Sequence, residues 1–421
     1  MRILIISETY KKGGAGNATK NIYNFLKNKF SKKSDLKLLV PFEKTEDENI
    51  LSYFNFLTYF KYIFFKLLNR FIAIFFSSNK FYFFNKFINI SLFKVKNLQK
   101  ILKYNKPEIV IILWYEYILN YKEILKIKNT FNSKIVFIPF DMYNFTGGCR
   151  YSQSCESYKK NCLACPAVSS FFSNLPNKNY KNNKNLICKI NPEIIFPSLF
   201  AKNFTNETNI LDKNIQTHLI NYPISKYDRT ESQFIQNLKN KTKNKKIIFF
   251  GAQDLREWRK GAHNLINVLS NLKTRYPESY SNIIFVSVGK NAKNILSKFS
   301  KNSIFLESLK YNELIELYRY SSLIIIPSLQ EWSSLMMSEA IKLDKVVFSF
   351  KTGSSYDLII NNVNGYVFSY YDYNKFADLI NEFLFSPEKF FISDRAKYLE
   401  KIKKVISEEE ILKKYINVIG K

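Results

Sequence analysis

Short runs of β-branched and large apolar residues alternate along the chain with longer segments whose apolar residues recur every three or four positions. The first pattern predicts strands buried on both faces, and the second predicts amphipathic helices. The predicted strands are residues 2–7, 109–113, 134–138, 194–196, 246–250, 282–288, 323–326 and 346–350. Strands that alternate with helices predict an α/β protein with parallel sheets covered on both faces.

The α/β pattern occurs twice, and a polar stretch rich in Lys and Asn separates the two copies. This stretch, residues 221–246, is predicted to be a linker. We therefore expect a first domain over residues 1–220 and a second domain over residues 247–400. The last segment, residues 401–421, predicts a C-terminal helix that packs back on the first domain.

Residues 50–94 are crowded with Phe, Tyr, Leu and Ile, but cations interrupt them at Lys61, Lys66, Arg70, Lys80 and Lys86. A membrane-spanning helix needs about 20 nearly continuous apolar residues, and this segment has no such run. Apolar rings with regularly placed cations favour an amphipathic helix at a membrane surface. The alternative is a set of ordinary core helices. We favour the membrane surface because aromatic residues are many and acidic ones few.

The formal net charge is +29, from 64 Lys and Arg against 35 Asp and Glu. Such a charge attracts polyanions: nucleic acid, anionic lipid or phosphorylated substrates. The sequence has no zinc-finger spacing or RNP-like pattern, so we expect no nucleic-acid partner. The apolar run after Met1 is too short for a secretory signal, and five cysteines give no disulfide framework. We expect a cytoplasmic protein, peripheral on the inner face of the cytoplasmic membrane.

Residues 327–340, PSLQEWSSLMMSEA, combine a strand end, two carboxylates and a helix start. Ser333 or Ser334 is predicted to cap the helix, which leaves the amides of Leu335 and Met336 unpaired in its first turn. Together with the helix dipole, these amides would bind an anion such as a diphosphate. Glu331 and Glu339 could accept hydrogen bonds from sugar and ribose hydroxyls. The alternative is that both are ordinary loop and helix surface residues.

The spacing Glu331-x7-Glu339 after a strand and Pro-Ser resembles the E-x7-E signature of retaining family 4 glycosyltransferases of the GT-B fold. Further segments match that family, among them Phe250-Gly251, Arg259-Lys260-Gly261, Gly353-Ser-Ser-Tyr-Asp357, Asn364-Gly365-Tyr366 and the Gly-rich turn at residues 12–16. The chain departs from the family at Ala252, where relatives carry Arg, and at Phe140, where they carry His. Arg256 or Arg259 could replace the missing Arg.

The resemblance implies two Rossmann-like parallel-sheet domains that face each other across a cleft. It implies transfer of a sugar, with retention, from a UDP- or GDP-linked donor to a lipid-linked or saccharide acceptor in surface polysaccharide biosynthesis. Lys260 and Glu331 would be the catalytic residues, and no cofactor would be required for catalysis. The resemblance places the donor site at Gly14, Arg259, Lys260, Leu335, Met336, Glu339, Gly353 and Asp357.

Four cysteines fall within 17 residues in a Cys-rich insertion at residues 146–166: Cys149, Cys155, Cys162 and Cys165. The C-x2-C spacing of the last two is typical of a metal knuckle, and four thiols could hold a structural zinc ion tetrahedrally. Free, packed thiols are the alternative, and we favour zinc. The segment resembles an insertion in colanic-acid-type polysaccharide glycosyltransferases.

Two other functions stay open. An inactive GT-B scaffold or assembly partner at the membrane would explain the missing family His and Arg. A nucleotide-sugar epimerase-like GT-B enzyme would need further acidic and His residues, and the whole chain contains only two His. The carboxylates at Glu331 and Glu339, together with Lys260, favour the transferase.

Overall fold

The computed structural model describes residues 1–11, 13–30, 35–43, 45–52, 55–77, 84–102, 106–227, 231–242 and 245–420. Lys12 of the Gly-rich turn, Lys80 of the apolar segment and residues 228–230 and 243–244 of the predicted linker lie outside the described residues. The chain divides into two compact units. Unit 1 comprises Met1–Pro223 and Ile411–Lys421, and unit 2 comprises Ile224–Glu410.

Unit 1 is built on a parallel sheet of seven strands. The strands are β1 Arg2–Ile6, β2 Asp35–Leu39, β3 Ile50–Leu51, β4 Ile109–Ile112, β5 Lys134–Phe137, β6 Glu193–Phe196 and β7 Thr217–Leu219. Their order across the sheet is β3-β2-β1-β4-β5-β6-β7. The central strand β4 is buried at every position, as its uninterrupted apolar run predicts.

Among the described residues of unit 1, the α-helices between these strands are α1 Gly13–Phe30, α2 Phe56–Phe76, α3 Val95–Leu102, α4 Tyr121–Phe131, α5 Leu175–Ile190 and α6 Leu199–Asn206. Helix α1 begins at Gly13, so residues 13–16 of the Gly-rich turn form its first turn. Gly13 has a φ of 68°, which glycine adopts at little cost where the chain turns into the helix.

Unit 2 is built on a parallel sheet of six strands. They are β8 Lys246–Asp254, β9 Ile283–Lys290, β10 Ser303–Leu306, β11 Leu323–Ile326, β12 Val347–Phe350 and β13 Gly365–Phe368, in the order β10-β9-β8-β11-β12-β13. Successive side chains of β8 enter two different cores: Ile248 and Phe250 enter one, Ile247 and Phe249 the other. The sheet is therefore covered on both faces.

The helices that cover this sheet are α7 Gln233–Lys241, α8 Ala262–Arg275, α9 Pro277–Ser281, α10 Ala292–Ile295, α11 Tyr311–Tyr320, α12 Leu335–Lys342, α13 Ser355–Leu358, α14 Tyr373–Phe385, α15 Pro387–Phe390 and α16 Arg395–Val405. Helix α7 lies within the stretch predicted to be a linker. Its Ile235 and Leu238 are buried in the core of unit 2.

The last helix, α17, is Glu408–Ile419, and most of it belongs to unit 1. Tyr415, Val418 and Ile419 are fully buried. Tyr415 packs against Phe25 of α1 with ring centroids 5.9 Å apart, and Lys134 donates to the Val418 carbonyl. The chain thus ends on the unit in which it begins.

The two parallel-sheet units confirm the predicted α/β fold class. Within the described ranges, no helix is both long enough and apolar enough to cross a membrane. The predicted membrane-surface segment, residues 50–94, is wrong for one of its cations. Lys86 is only 2% exposed and donates to Asn183 Oδ1 at 2.9 Å, because the chain after α2 folds inward against α5.

Candidate functional site

The centre of the candidate site is Glu331, in the loop between β11 and α12. Its carboxylate is buried and lies between two cations. Lys260 Nζ donates to Oε1 at 2.6 Å, and Arg259 Nη1 donates to Oε2 at 3.1 Å. Three of the predicted site residues therefore meet in one charged group, although they are 71 and 72 positions apart in sequence.

Burial of the Glu331 carboxyl acts to raise its pKa, but the charges of Lys260 and Arg259 outweigh burial and hold the pKa below its usual range. Arg259 also pairs with Glu257 at 2.7 Å. The Lys260 side chain keeps 23% of its surface exposed, whereas that of Arg259 keeps 10%. Lys260 is therefore the more accessible of the two cations to an anionic ligand.

A glycine fixes the two loops that carry these charges. Gly261 follows Lys260 at a φ of 72° and starts α8. A Cβ added to Gly261 would lie 1.8 Å from the Pro327 carbonyl oxygen, so no other residue fits there. The Leu329 amide donates to the Arg259 carbonyl at 2.7 Å. The K-G turn and the loop after β11 are thus held against each other.

The loop after β12 closes the other side of Glu331. Thr352 Oγ1 accepts from the Glu331 amide at 2.8 Å. Gly353 has a φ of 52°, and a Cβ there would lie 2.8 Å from the Cβ of Glu331. Ser354 Oγ lies 2.9 Å from Ser333 Oγ and accepts from the Ser334 amide at 3.2 Å. The predicted donor residue Gly353 therefore lies directly against Glu331.

The start of α12 has the predicted form. Ser334 is the N-cap, and its hydroxyl accepts from the Met337 amide at 3.2 Å. The amides of Leu335 and Met336 have no acceptor within an α-helix, because they belong to its first turn. Both residues are partly exposed. The helix start can therefore offer amide hydrogens to an anion.

Glu339 lies on the second turn of α12 and is buried against α11. Its Oε1 accepts from the Tyr311 hydroxyl at 3.2 Å, and the Tyr318 hydroxyl also bonds to the carboxyl group. Burial raises the pKa of Glu339 to about 7, with the two tyrosines and Lys342 acting in the opposite direction. Near neutral pH this carboxyl can therefore either donate or accept a hydrogen bond.

Three further predicted residues lie away from this charged group or in the other unit. Arg256 is exposed and pairs with Asp254 at 2.7 Å, so Arg259 is the arginine beside Glu331. Asp357 lies in the first turn of the short helix α13, four residues beyond Gly353. Gly14 lies at the start of α1 in unit 1, where an added Cβ would meet nothing within 4 Å. Its role in donor binding stays a prediction.

Unit 1 has a polar group at the C-terminal ends of β1 and β4 that the sequence analysis missed. Glu8 accepts from the Tyr62 hydroxyl of α2 at 2.6 Å, and burial raises its pKa although Lys66 and Tyr62 act to lower it. Glu116 forms an ion pair with Arg150. Each glutamate directly follows a strand and a short connector, in ILIISE and IVIILWYE. Polar residues at that position commonly face a ligand.

The four cysteines of the insertion line one small cavity of about 10 Å³. The Cys162 sulfur accepts from the Gly147 amide at 3.2 Å, and the Cys165 sulfur accepts from the amides of Ala167 and Val168. Cys149 and Cys165 are hydrogen-bonded to each other. Over the described residues, however, no group of three or more His, Cys, Asp or Glu side chains is arranged so that it could hold a metal ion as it stands. Thiols are suitable ligands for zinc, but the four cysteine side chains as placed do not form a metal site.

Residues 231–405 match the family model described as Glycosyl transferases group 1. A search of curated proteins found no match to the chain. Among solved structures, it resembles the E. coli trehalose-6-phosphate structure bound with UDP-2-fluoro glucose (14% identity, TM-score 0.66, 99% of this chain and 98% of the other). It also resembles sucrose-phosphate synthase from Thermosynechococcus elongatus (12%, 0.66, 100% and 98%) and Anabaena HepE in complex with UDP-glucose (14%, 0.62, 100% and 99%).

These likenesses at low identity establish the GT-B fold for the two parallel-sheet units. The matched family model covers the residues that gather around Glu331, and it lies wholly within unit 2. The comparisons do not single out colanic-acid-type enzymes. The chain therefore has the GT-B fold, and its residues 231–405 match the glycosyl transferases group 1 model, which supports glycosyltransferase activity.

Proposed function

We propose that the protein transfers a sugar, with retention, from a nucleotide-diphosphate donor that binds at the Glu331 loop of unit 2. The observation that carries this proposal is the contact of Lys260 and Arg259 with a buried Glu331, beside a helix start whose first amides have no acceptor within the helix. A diphosphate needs charge neutralisation when it departs, and preorganised cations and amide hydrogens supply it. Since solved structures of this fold hold UDP and UDP-glucose, we propose a UDP-linked sugar as the first donor to test and a GDP-linked sugar as the second.

In the proposed reaction the bond between the anomeric carbon and the diphosphate oxygen breaks, and the acceptor hydroxyl oxygen bonds to the same face of that carbon. The hydroxyl proton passes to the departing diphosphate. Lys260 and the amides of Leu335 and Met336 stabilise the developing charge. Glu331 holds both cations in place and contacts the sugar.

The ribose and base side of the donor is proposed to lie along α12 and α13. Glu339 accepts from ribose hydroxyls, and the backbone around Gly353 and Asp357 shapes the pocket for the base. Support comes from Gly353, whose lack of a side chain brings the loop after β12 against Glu331. A side chain at this position would push that loop away.

We propose a lipid-linked acceptor, or a saccharide held at the cytoplasmic face of the membrane, in surface polysaccharide biosynthesis. Support comes from helix α2 of unit 1, which exposes most of its large apolar side chains. The same helix bonds through Tyr62 to Glu8, at the C-terminal end of β1. The polar group at that end of the sheet is the proposed contact for the acceptor.

We also propose that the four cysteines hold a structural zinc ion once their side chains turn towards a common point. Four soft thiols around one small cavity, with amides already directed at two sulfurs, are the support. No ligand position is left open in a site of four thiols, so the ion takes no part in the transfer.

A donor screen tests the transferase. Purified protein is incubated with UDP- and GDP-hexoses and a polyprenyl-diphosphate-linked sugar, and release of free nucleoside diphosphate is measured. We expect turnover of one donor and loss of turnover in Lys260→Ala. Binding of UDP without turnover of any donor would support the inactive scaffold. An isomerised nucleotide sugar in the NMR spectrum of the products would support the epimerase.

A further inference from the structure

One face of helix α2 exposes a continuous row of large apolar side chains. The row is formed by Phe56, Phe60, Phe64, Leu67, Phe71 and Ile74, each between 50% and 77% exposed. Their spacing of three or four residues puts them on a single face of the helix. Leu57 and Phe75 border the row and are also exposed. Scattered surface apolar residues are ordinary, but a contiguous patch of this length indicates a binding surface.

The opposite face of α2 is fixed to unit 1. Of the helix residues, Tyr62 and Asn69, seven apart, are the two that are buried. Tyr62 donates to Glu8 at 2.6 Å, and Asn69 Nδ2 donates to Asn85 Oδ1 at 2.8 Å. These polar bonds set the rotation of the helix. The apolar row therefore points away from the sheet because the other face is specifically bonded to it.

Cations border the apolar row on both edges. With 3.6 residues per turn, Lys61 falls at the edge marked by Leu57, and Lys66 and Arg70 fall at the other edge. All three are exposed, and α2 contains no Asp or Glu. Long cationic side chains at the borders of an apolar face can reach a charged layer while the apolar face is buried.

Another exposed aromatic ring lies at the end of α2. Phe171, 77% exposed, packs against Phe76 with ring centroids 5.5 Å apart. The Ser169 amide donates to the Phe76 carbonyl at 2.8 Å, so this turn is held to the helix. Phe171 is thus an exposed ring at the end of α2, next to Phe76, which lies on the side of Tyr62 and Asn69 and not in the row.

Two occupants could cover such a surface: a lipid bilayer or a second copy of the chain. Lys66 already pairs with Glu8 at 3.5 Å. A second copy would bring Lys61 and Arg70 of one helix next to those of another, with no carboxylate on either helix. An anionic bilayer supplies the missing negative charge, and the net charge of +29 adds to the attraction. Charge complementarity therefore selects the bilayer.

We propose that α2 lies in the plane of an anionic lipid surface, with the apolar row among the acyl chains and Lys61 and Arg70 at the headgroup phosphates. This inference deepens the proposed function, on which it rests for the identity of the acceptor. It adds the physical contact that brings the C-terminal end of β1, through Tyr62 and Glu8, close to lipid-linked molecules.

Vesicle flotation with the full-length protein tests the docking. We expect binding to vesicles of equal parts phosphatidylglycerol and phosphatidylcholine, and at least tenfold weaker binding to phosphatidylcholine alone. Phe60→Ser combined with Phe71→Ser should weaken binding to the anionic vesicles at least tenfold. The matched control is Phe385→Ser with Ile392→Ser, two exposed apolar residues of unit 2, and it should bind like the wild type.

Charge-reversal variants are the second part of the vesicle flotation experiment. Lys61→Glu with Arg70→Glu should abolish the preference for anionic vesicles, whereas Lys273→Glu with Lys397→Glu, which changes net charge equally at exposed sites of unit 2, should retain it. Unchanged binding by both α2 variants would overturn the proposal. So would a dimer in light scattering that the α2 variants abolish, without any vesicle binding. Donor turnover is scored separately: vesicle binding without turnover would refute the proposed function alone, and turnover without binding would refute the docking alone.

Discussion

At the scale of single residues, the candidate site depends on a group of charged side chains that compensate one another's charge. The Glu331 carboxylate is buried and stays ionised because Lys260 and Arg259 contact it. Removing one partner of a buried ion pair leaves the other charge uncompensated, which costs stability as well as function. The melting temperature of each variant is therefore measured together with its activity.

Lys260→Ala should lower the rate of sugar transfer by about 100-fold or more, since loss of one preorganised donor to a departing anion has an effect of that size. The reduction should appear mainly in kcat, measured as nucleoside diphosphate release. Lys273→Ala, an exposed lysine on α8, is the control and should retain full activity. Near-normal activity of Lys260→Ala in a protein with an unchanged melting temperature would remove Lys260 from the mechanism.

Glu339 should make the stability of unit 2 depend on pH. Its folded-state pKa of about 7 lies above the ordinary value of 4.5, so the native state keeps a proton that the unfolded chain loses. The free energy of unfolding should therefore fall as pH rises from about 4.5 to about 7, by on the order of 3 kcal/mol at most. Glu339→Gln cannot ionise and should lose this fall.

Urea denaturation at pH 5, 6, 7 and 8 measures the effect as the difference between wild type and Glu339→Gln. Glu400→Gln, on the exposed face of α16, serves as the control and should follow the wild type. A difference between wild type and Glu339→Gln that stays constant from pH 5 to 8 would contradict the raised pKa.

At the scale of elements, continuous apolar runs were predictable and short polar ones were not. Strand β11 matches its predicted bounds of residues 323–326, because four buried apolar residues followed by Pro-Ser leave no alternative. Strand β7, Thr217–Leu219, was missed because it is only three residues long and half-buried at the edge of the sheet. Strand β10, Ser303–Leu306, was also missed because it is half-buried and lies at the edge of its sheet, next to β9. Edge strands show little of the apolar signal that burial imposes.

The candidate site also has features that local sequence predicts and features that depend on long-range contacts. The Ser334 cap and the first turn of α12 follow from local sequence, since a cap needs only the residues beside it. That Arg259 and not Arg256 contacts Glu331 depends on Gly261 packing against Pro327, a long-range contact that spacing alone does not reveal. Glu8 was missed although it follows a strand, because its partner Tyr62 comes from a distant helix.

The Cys-rich insertion is expected to bind about one zinc ion per chain. Metal analysis of protein purified without chelator measures it directly. Cys162→Ser with Cys165→Ser should lose the metal and lower the melting temperature by about 4 °C or more, because Cys165 packs in the same cluster as Phe172, beside the end of α2. Cys188→Ser, outside the cluster, should retain both. Protein free of zinc that also takes up none on addition would leave the thiols as packing residues.

At the scale of the whole molecule, two kinds of ligand are assigned to two separate units. The anion-binding loops belong to unit 2, whereas the apolar row and the Glu8 group belong to unit 1. Each unit has its own sheet with helices of its own. The excess of positive charge attracts both proposed ligands, because a nucleotide diphosphate and an anionic lipid surface are both negative.

Hydrogen exchange across the full chain can separate the two assignments in one experiment. UDP should slow exchange most in peptides that contain Arg259–Gly261 and the start of α12, since bound phosphate occupies their amides and suppresses local opening. Phosphatidylglycerol vesicles should slow exchange most in α2 and around Phe171. The Phe60→Ser, Phe71→Ser variant is the control: it should keep the UDP effect and lose the vesicle effect. If UDP instead protected α2 most, the donor would have to bind in unit 1, and the functions assigned to the two units would have to be exchanged.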